Sequence, residues 1–133
     1  MNTSTVKIFE TDKYRLKIHS NNFLESLIKE DVIIDTKLVL EVKQTIEQYK
    51  PGTRFYIFAE GVGFFNMNKE ARKLTATKEF SSYMAAVAFF TKNPTLLLLG
   101  ELYNAINKPA VETRLFTDRD KARRWLKSLI IKK

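Results

Sequence analysis

The spacing of hydrophobic and polar residues changes along the chain, and each spacing predicts a different element. Over residues 14–19 apolar and polar side chains alternate, which is typical of a strand with one buried face. Residues 20–22 have turn chemistry, so residues 23–29 are predicted to return as the second strand of a hairpin. Residues 1–13 are mostly polar, and we expect this segment to fray.

Segments with helical spacing alternate with short apolar runs in the rest of the chain. Asp35 is a residue type that caps helices. It is followed by four apolar residues at helical spacing: Leu38, Val39, Val42 and Ile46. Residues 54–59 and 84–91 are almost continuously apolar, as in central strands covered on both faces. The later elements are a helix capped by Asn66 or Asn68, a helix over residues 93–106, a strand over residues 113–116 and a last helix capped by Thr117.

This alternation predicts one α/β domain. The element order is ββαβαβαβα, which favours a mixed, partly parallel sheet with helices packed on it. Residues 14–133 contain no internal repeat, low-complexity tract or linker, so they are assigned to a single domain. A chain of 133 residues is long enough to bury its own core without a disulfide or a metal.

The composition then excludes many kinds of chemistry. The chain has no cysteine, which removes thiolate nucleophiles, iron–sulfur clusters and cysteine-ligated zinc. It has one histidine, His19, and no nearby residues are spaced to orient it as a base or to complete a metal site. We therefore expect His19 to be an exposed edge-strand residue. We predict no catalytic residue, metal ligand or cofactor, and no enzyme activity.

Positive charge is concentrated at the end of the chain. The formal net charge is +8, and residues 118–133 hold seven basic residues against two acidic ones. Arg123, Arg124 and Lys127 share parts of one helix face, so nucleic-acid binding is one hypothesis. A solvated helix face explains the same residues, and no helix-turn-helix, RNP or KH signature is present. With no secretory signal and no apolar run beyond eight residues, we expect a cytoplasmic protein without membrane contact.

Two segments leave alternatives open. Residues 60–63 form a glycine-containing loop between a strand and a helix, where anions bind, but they lack the lysine of a Walker A motif. Residues 96–99 are four consecutive leucines on a predicted helix, which is more than one core-facing stripe needs. The excess is covered either within the domain or by a partner, so Leu97, Leu98 and Tyr103 are assigned to an oligomer or cavity face.

The region after the strand at residues 54–59 resembles the centre of STAS domains. That family includes the anti-sigma-factor antagonists and the cytoplasmic tails of sulfate transporters, and the likeness in element order covers residues 14–130. The chain is also similar to small uncharacterised bacterial proteins with this SpoIIAA-like fold. The motifs that carry this second likeness are Lys69-Glu70-Ala71-Arg72, Ile106-Asn107-Lys108-Pro109, Leu115-Phe116-Thr117-Asp118 and Trp125-Leu126.

The resemblance implies a STAS-like fold and a docking role, but not the family's phosphorylation switch. In the antagonists a Ser or Thr at the helix start is phosphorylated, whereas this chain has Asn66, Met67 and Asn68 there. None of these side chains accepts phosphate. The surface around them is the predicted docking face: Gly61, Gly63, Asn66, Met67, Asn68, Lys69 and Arg72.

The sequence thus predicts a non-catalytic, STAS-like regulatory module that acts by contact with an unknown protein partner or as a homodimer. The competing hypothesis is a carrier or sensor of a small ligand or lipid, held in an apolar cavity between helices and sheet. Nucleic-acid binding through the last helix is the third hypothesis. A co-purified ligand would favour the carrier, and a bare monomer or dimer would favour the docking module.

Overall fold

The structure, a computed structural model, describes residues 4–131, and within them the chain forms a sheet covered by helices on both faces. The strands are β1 (Thr5–Glu10), β2 (Tyr14–His19), β3 (Phe23–Ile28), β4 (Ile33–Ile34), β5 (Phe55–Gly61), β6 (Asn66–Met67), β7 (Met84–Phe90) and β8 (Thr113–Phe116). The helices are α1 (Thr36–Tyr49), α2 (Lys69–Thr75), α3 (Pro94–Ile106) and α4 (Arg119–Ile131). Short 3-10 segments lie at Ser20–Asn22 and Phe80–Tyr83.

The main sheet is mixed, as the element order predicts. Its strand order is β1-β2-β3-β5-β7-β8. The first three strands pair antiparallel and the pairs from β3 to β8 are parallel. The parallel pairs need crossovers, and α1, α2 and α3 lie on these connections. Two residues of β4 and two of β6 form a separate parallel pair, which the sequence does not predict.

The expectation that residues 1–13 fray is wrong for β1. This strand pairs with β2, with Phe9 opposite Leu16, while residues 1–3 lie outside the described part of the chain. Phe9 packs against the buried core and its ring meets that of Tyr49 edge to face at 5.9 Å between centroids. One aromatic anchor and a ladder of backbone hydrogen bonds are enough to order a segment that has little hydrophobic pattern.

Side-chain caps define where the helices begin. Asp35 Oδ1 accepts from Leu38 N, Asn68 Oδ1 accepts from Ala71 N, and Asn93 Oδ1 accepts from Thr95 N, as the sequence predicts. The last helix differs from the prediction, because Asp118 Oδ1 accepts from the amides at the start of α4 and Thr117 is not the cap. An aspartate carboxylate is favoured at this position over the preceding threonine hydroxyl.

The sheet separates two hydrophobic cores. Along β5, Phe55 and Ile57 point to the side of α1 and α2, whereas Tyr56 and Phe58 point to the side of α4. This alternation explains why the strand reads as a continuous apolar run. Across residues 4–131, none of the helices combines the length and the hydropathy needed to cross a bilayer.

Candidate functional site

An apolar cavity of about 550 Å³ lies between the sheet and the three helices α1, α2 and α3. Its floor includes β5, β7 and the edge strand β8, where four side chains remain only half-buried: Ala59, Val87, Phe89 and Leu115. Central strands of an α/β sheet are normally covered on both faces. The volume is within the range of small-molecule pockets, which is about 300–1,000 Å³.

The cavity exists because α3 packs loosely over the sheet. Within α3, residues 94–106, only Leu96 is fully buried. The helix lies close to the sheet at Gly100, where a Cβ would lie 2.9 Å from a methyl carbon of Leu115. Asn104 Nδ2 donates to the carbonyl oxygen of Thr113 at 2.8 Å, but its Oδ1 is buried without a hydrogen-bond partner among the described residues. A helix held by so few contacts leaves the space beneath it unfilled.

One edge of α3 connects the cavity to the surface. Leu99, Leu102 and Ile106 line the cavity and are also 40%, 44% and 72% exposed. Of the predicted oligomer or cavity face, Tyr103 lines the cavity, whereas Leu97 is half-buried and Leu98 is exposed without lining it. The face predicted from the sequence does not include Leu99, Leu102 and Ile106, although their i, i+3, i+7 spacing marks a second apolar stripe.

Four of the hydroxyl groups around the cavity already have protein partners. Ser81 Oγ donates to the carbonyl oxygen of Thr77 at 2.7 Å, and Thr113 Oγ1 donates to that of Val111 at 3.1 Å. The hydroxyls of Thr75 and Tyr103 bond to each other at 3.0 Å. Burial raises the pKa of Tyr103, so this phenol stays neutral. The interior therefore presents an essentially apolar lining.

Charge enters the lining from one element only. Lys69, Arg72 and Lys73, all on α2, line the cavity, and both lysines are exposed, which places them at its mouth. The Arg72 guanidinium donates to the carbonyl oxygen of Met67, which directs it along β6. Among the described residues the lining includes no Asp, Glu or His. The mouth is thus positively charged.

The predicted docking face divides between two places. Four of its residues line the cavity: Asn66, Met67, Lys69 and Arg72. Asn68 caps α2. Gly61 and Gly63 instead border a polar depression at the carboxyl ends of β5, β7 and β8. Gly63 has a φ of 68°, and a Cβ there would lie 2.9 Å from the Glu30 carboxylate. A carboxylate beside this loop opposes the anion-binding alternative.

The opposite face of the sheet carries a compact ionic network. His19 Nε2 lies 2.6 Å from Glu25 Oε2, and Arg123 Nη2 donates to Glu25 Oε1 at 2.6 Å. Burial opposes ionisation of Glu25, but Arg123 and His19 outweigh it, and the pKa of Glu25 is lowered. The expectation for His19 is wrong, because its side chain is only 9% exposed and β2 lies inside the sheet.

Helix α4 is bound to this face through its arginines. Arg119 makes a two-pronged pair with Glu60, at 2.7 and 3.1 Å, and its guanidinium lies 4.7 Å from the ring centre of Phe90. Arg123 lies 4.5 Å above the ring of Phe58. Of the predicted basic patch, Arg123 is therefore engaged with the sheet, and Arg124 and Lys127 are exposed. The patch therefore presents two exposed cations rather than three.

Clusters of three or more metal-ligating side chains do not occur within residues 4–131. The network around His19 consists of one carboxylate, one guanidinium and the hydroxyl of Thr5, which lies 3.1 Å from His19 Nδ1. Both ring nitrogens thus face protein groups. This arrangement is one of structural pairing.

Comparisons with known proteins agree with this architecture. The solved structure of an uncharacterised protein of the DUF3478 family with a SpoIIAA-like fold, from Shewanella loihica, is similar with a TM-score of 0.55 and 12% identity. The match covers 93% of each chain. The SpoIIAA-like, mixed α/β fold expected from the sequence is thereby confirmed. A search of curated proteins finds no significant match. A family model matches residues 16–130, and the chain therefore belongs to the family described as domain of unknown function DUF7793.

Proposed function

We propose that this domain binds a small apolar ligand in the cavity beneath α3. The observation that carries the proposal is the hollow of about 550 Å³ in a core of otherwise buried residues. Protein interiors are packed about as densely as organic crystals, and unfilled apolar volume costs stability. A ligand that fills the space restores the missing contacts, and this gain drives its binding.

The surroundings of the cavity support binding without chemical conversion. The only histidine of the chain, His19, lies on the other face of the sheet, with both ring nitrogens beside protein groups. The hydroxyls of Ser81 and Thr75 are bonded within the protein. A carrier or sensor needs shape and an entrance, and the exposed apolar edge of α3 supplies the entrance.

Fluorescence of N-phenylnaphthylamine, a neutral apolar probe, tests this function. We expect saturable binding to the wild type and loss of binding in Val87→Phe, because the larger side chain fills the floor of the cavity. Val6→Phe is the matched control, since Val6 is 58% exposed on β1 and should leave binding unchanged. Circular dichroism checks the fold of both variants. Equal binding by wild type and Val87→Phe would contradict the proposal.

A second candidate is the protein-docking module, favoured by an apolar surface near β4 and β6. Ile33, Val62 and Phe64 are 64%, 46% and 40% exposed. Their segments are joined by the backbone bonds from Asp31 N to Phe64 O and from Val62 N to Ile28 O. If a second copy of the chain covers this surface, sedimentation equilibrium should show a dimer that Phe64→Ser disrupts. A wild-type monomer at all concentrations would remove this dimer.

A further inference from the structure

We propose that the ligand is a single-chain anionic amphiphile of the fatty-acid type. Its alkyl chain occupies the cavity, and its carboxylate lies at the mouth beside Lys69, Arg72 and Lys73. This inference rests on the proposed function and adds the chemical class of the ligand. The observation behind it is that one side of the cavity mouth is cationic and the other side is apolar.

The first argument is the sign of the charge. The lining residues that are charged at neutral pH are all cations, since among the described residues Asp and Glu are absent from the lining. The three cations stand at positions i, i+3 and i+4 of α2, so they share one helix face. Three like charges on one helix face repel one another, and an anion between them relieves that repulsion. A neutral or cationic ligand gains nothing from this arrangement.

The second argument is the geometry of the two sides of the mouth. The α3 side is apolar, with Leu99, Leu102 and Ile106 exposed, and the α2 side is cationic. An amphiphile has the same division, with a charged head and a hydrocarbon tail. Arg72 is already fixed by its bond to Met67, and a guanidinium has further N–H groups that match the two oxygens of a carboxylate.

The third argument concerns the length and polarity of the tail. The hydroxyls of Thr75, Ser81 and Thr113 already bond to protein groups, so a polar group on the ligand would gain little beside them. A saturated chain meets this condition. The volume of about 550 Å³ suits one such chain, whereas the two chains of a phospholipid need more space.

Displacement of bound N-phenylnaphthylamine by three molecules with the same alkyl chain tests the assignment: dodecanoate, dodecanol and dodecylammonium. We expect dodecanoate to bind about tenfold more tightly than dodecanol, which is the scale of a few partly exposed ion pairs, and dodecylammonium to bind most weakly. The preference for dodecanoate should shrink as salt is added, because the mouth is open to solvent.

Charge variants locate the head group. In Lys69→Gln/Arg72→Gln/Lys73→Gln, dodecanoate and dodecanol should bind equally. The matched control, Lys121→Gln/Arg124→Gln/Lys127→Gln, removes the same charge from α4, outside the cavity, and should keep the preference. Because Arg72 also holds Met67, the variant Lys69→Gln/Lys73→Gln, which changes only exposed lysines, must lose most of the preference if the triple variant fails to fold.

The outcomes separate the two proposals. If the probe binds but the three alkyl compounds displace it equally, the anionic assignment is wrong and the cavity function stands. If the control variant loses the preference as fully as the α2 variant, overall charge and not the mouth is responsible, and the assignment is again wrong. If the probe does not bind at all, both proposals fall. Binding to anionic phospholipid vesicles without displacement by dodecanoate would also overturn the single-chain ligand.

Discussion

The two faces of the sheet are packed in opposite ways, and β7 shows both. Its residues on the α4 side, Ala86, Ala88 and Phe90, are 2%, 0% and 7% exposed. Its residues on the α3 side, Val87 and Phe89, remain half-buried. The interior strand β7 is therefore fully covered on its α4 face and only partly covered on its α3 face.

The difference follows from the size of the side chains that meet. On the α4 side the small side chains of Ala86 and Ala88 pack in the same buried cluster as Ala122, which lets the helix approach closely. On the α3 side Leu115 lies against Gly100, and the ring of Phe89 meets that of Phe65 edge to face. The side chains on the α3 side of β7 and β8 are thus larger than the alanines on the α4 side. The closely packed part of β7 thus lies on the α4 side, whereas the cavity proposed to bind a ligand lies on the α3 side.

The largest expected effect compares two phenylalanines of neighbouring strands. Phe58 is 1% exposed on the α4 side, so Phe58→Ala should lower the free energy of unfolding by about 3–5 kcal/mol. Phe89 already borders empty space, so Phe89→Ala should cost clearly less, about 1–2 kcal/mol. Urea unfolding of both variants measures the difference. Equal losses would mean that the two faces are packed alike.

Enlarging two alanines tests the comparison from the other direction. Ala88 is fully buried against α4, and Ala88→Leu should cost about 1–3 kcal/mol because the face has no room. Ala59 lines the cavity, so Ala59→Leu should leave the free energy of unfolding unchanged or raise it slightly, while it weakens probe binding. Thermal unfolding and probe titration give the two readouts. A strongly destabilised Ala59→Leu variant would show that the cavity is not available.

The smallest expected effect concerns acid and the network of the α4 side. The pKa of Glu25 is below its ordinary value of 4.5 in the fold, so its charge stabilises the protein above that value. This contribution is lost as the pH falls through the lowered pKa. Because Glu25 and Arg123 are partly exposed, Glu25→Gln should cost only about 1 kcal/mol at neutral pH.

Urea unfolding at a series of pH values measures this contribution. The cost of Glu25→Gln should disappear in acid, where the wild-type carboxyl is also protonated. Glu101→Gln changes an exposed carboxyl on α3 and serves as the control, with little effect at any pH. A cost for Glu25→Gln that is independent of pH would show that the ion pairs do not stabilise the fold.

The fold was largely predictable because local patterns determined it. The apolar runs of β5 and β7 and the caps at Asp35 and Asn93 are visible in the sequence, and the structure has them within a residue or two. From the sequence, the cavity could be predicted only as one of the ways in which the excess apolar surface of α3 is covered. Sequence periodicity shows which sides of α3 are apolar, but the distance between the helix and the sheet depends on contacts such as Gly100 with Leu115.

The ionic network shows the same limit for the site. His19 and Glu25 lie across the β2–β3 hairpin, where Lys17 pairs with Glu25, so this contact could have been found by aligning the two strands. Arg123 is 98 residues away from Glu25 in sequence, and only the packing of α4 brings them together. The residues next to His19 in sequence therefore predicted no partner for it, whereas the fold pairs it with Glu25.

The loose attachment of α3 has a kinetic consequence. Because Leu96 is its one fully buried residue, we expect α3 to open locally at a lower free energy than global unfolding requires. Entry and exit then need no rearrangement of the sheet. A ligand in the proposed cavity can leave through the exposed edge of α3, so its lifetime depends on this one side of the molecule, while α4 covers the other face.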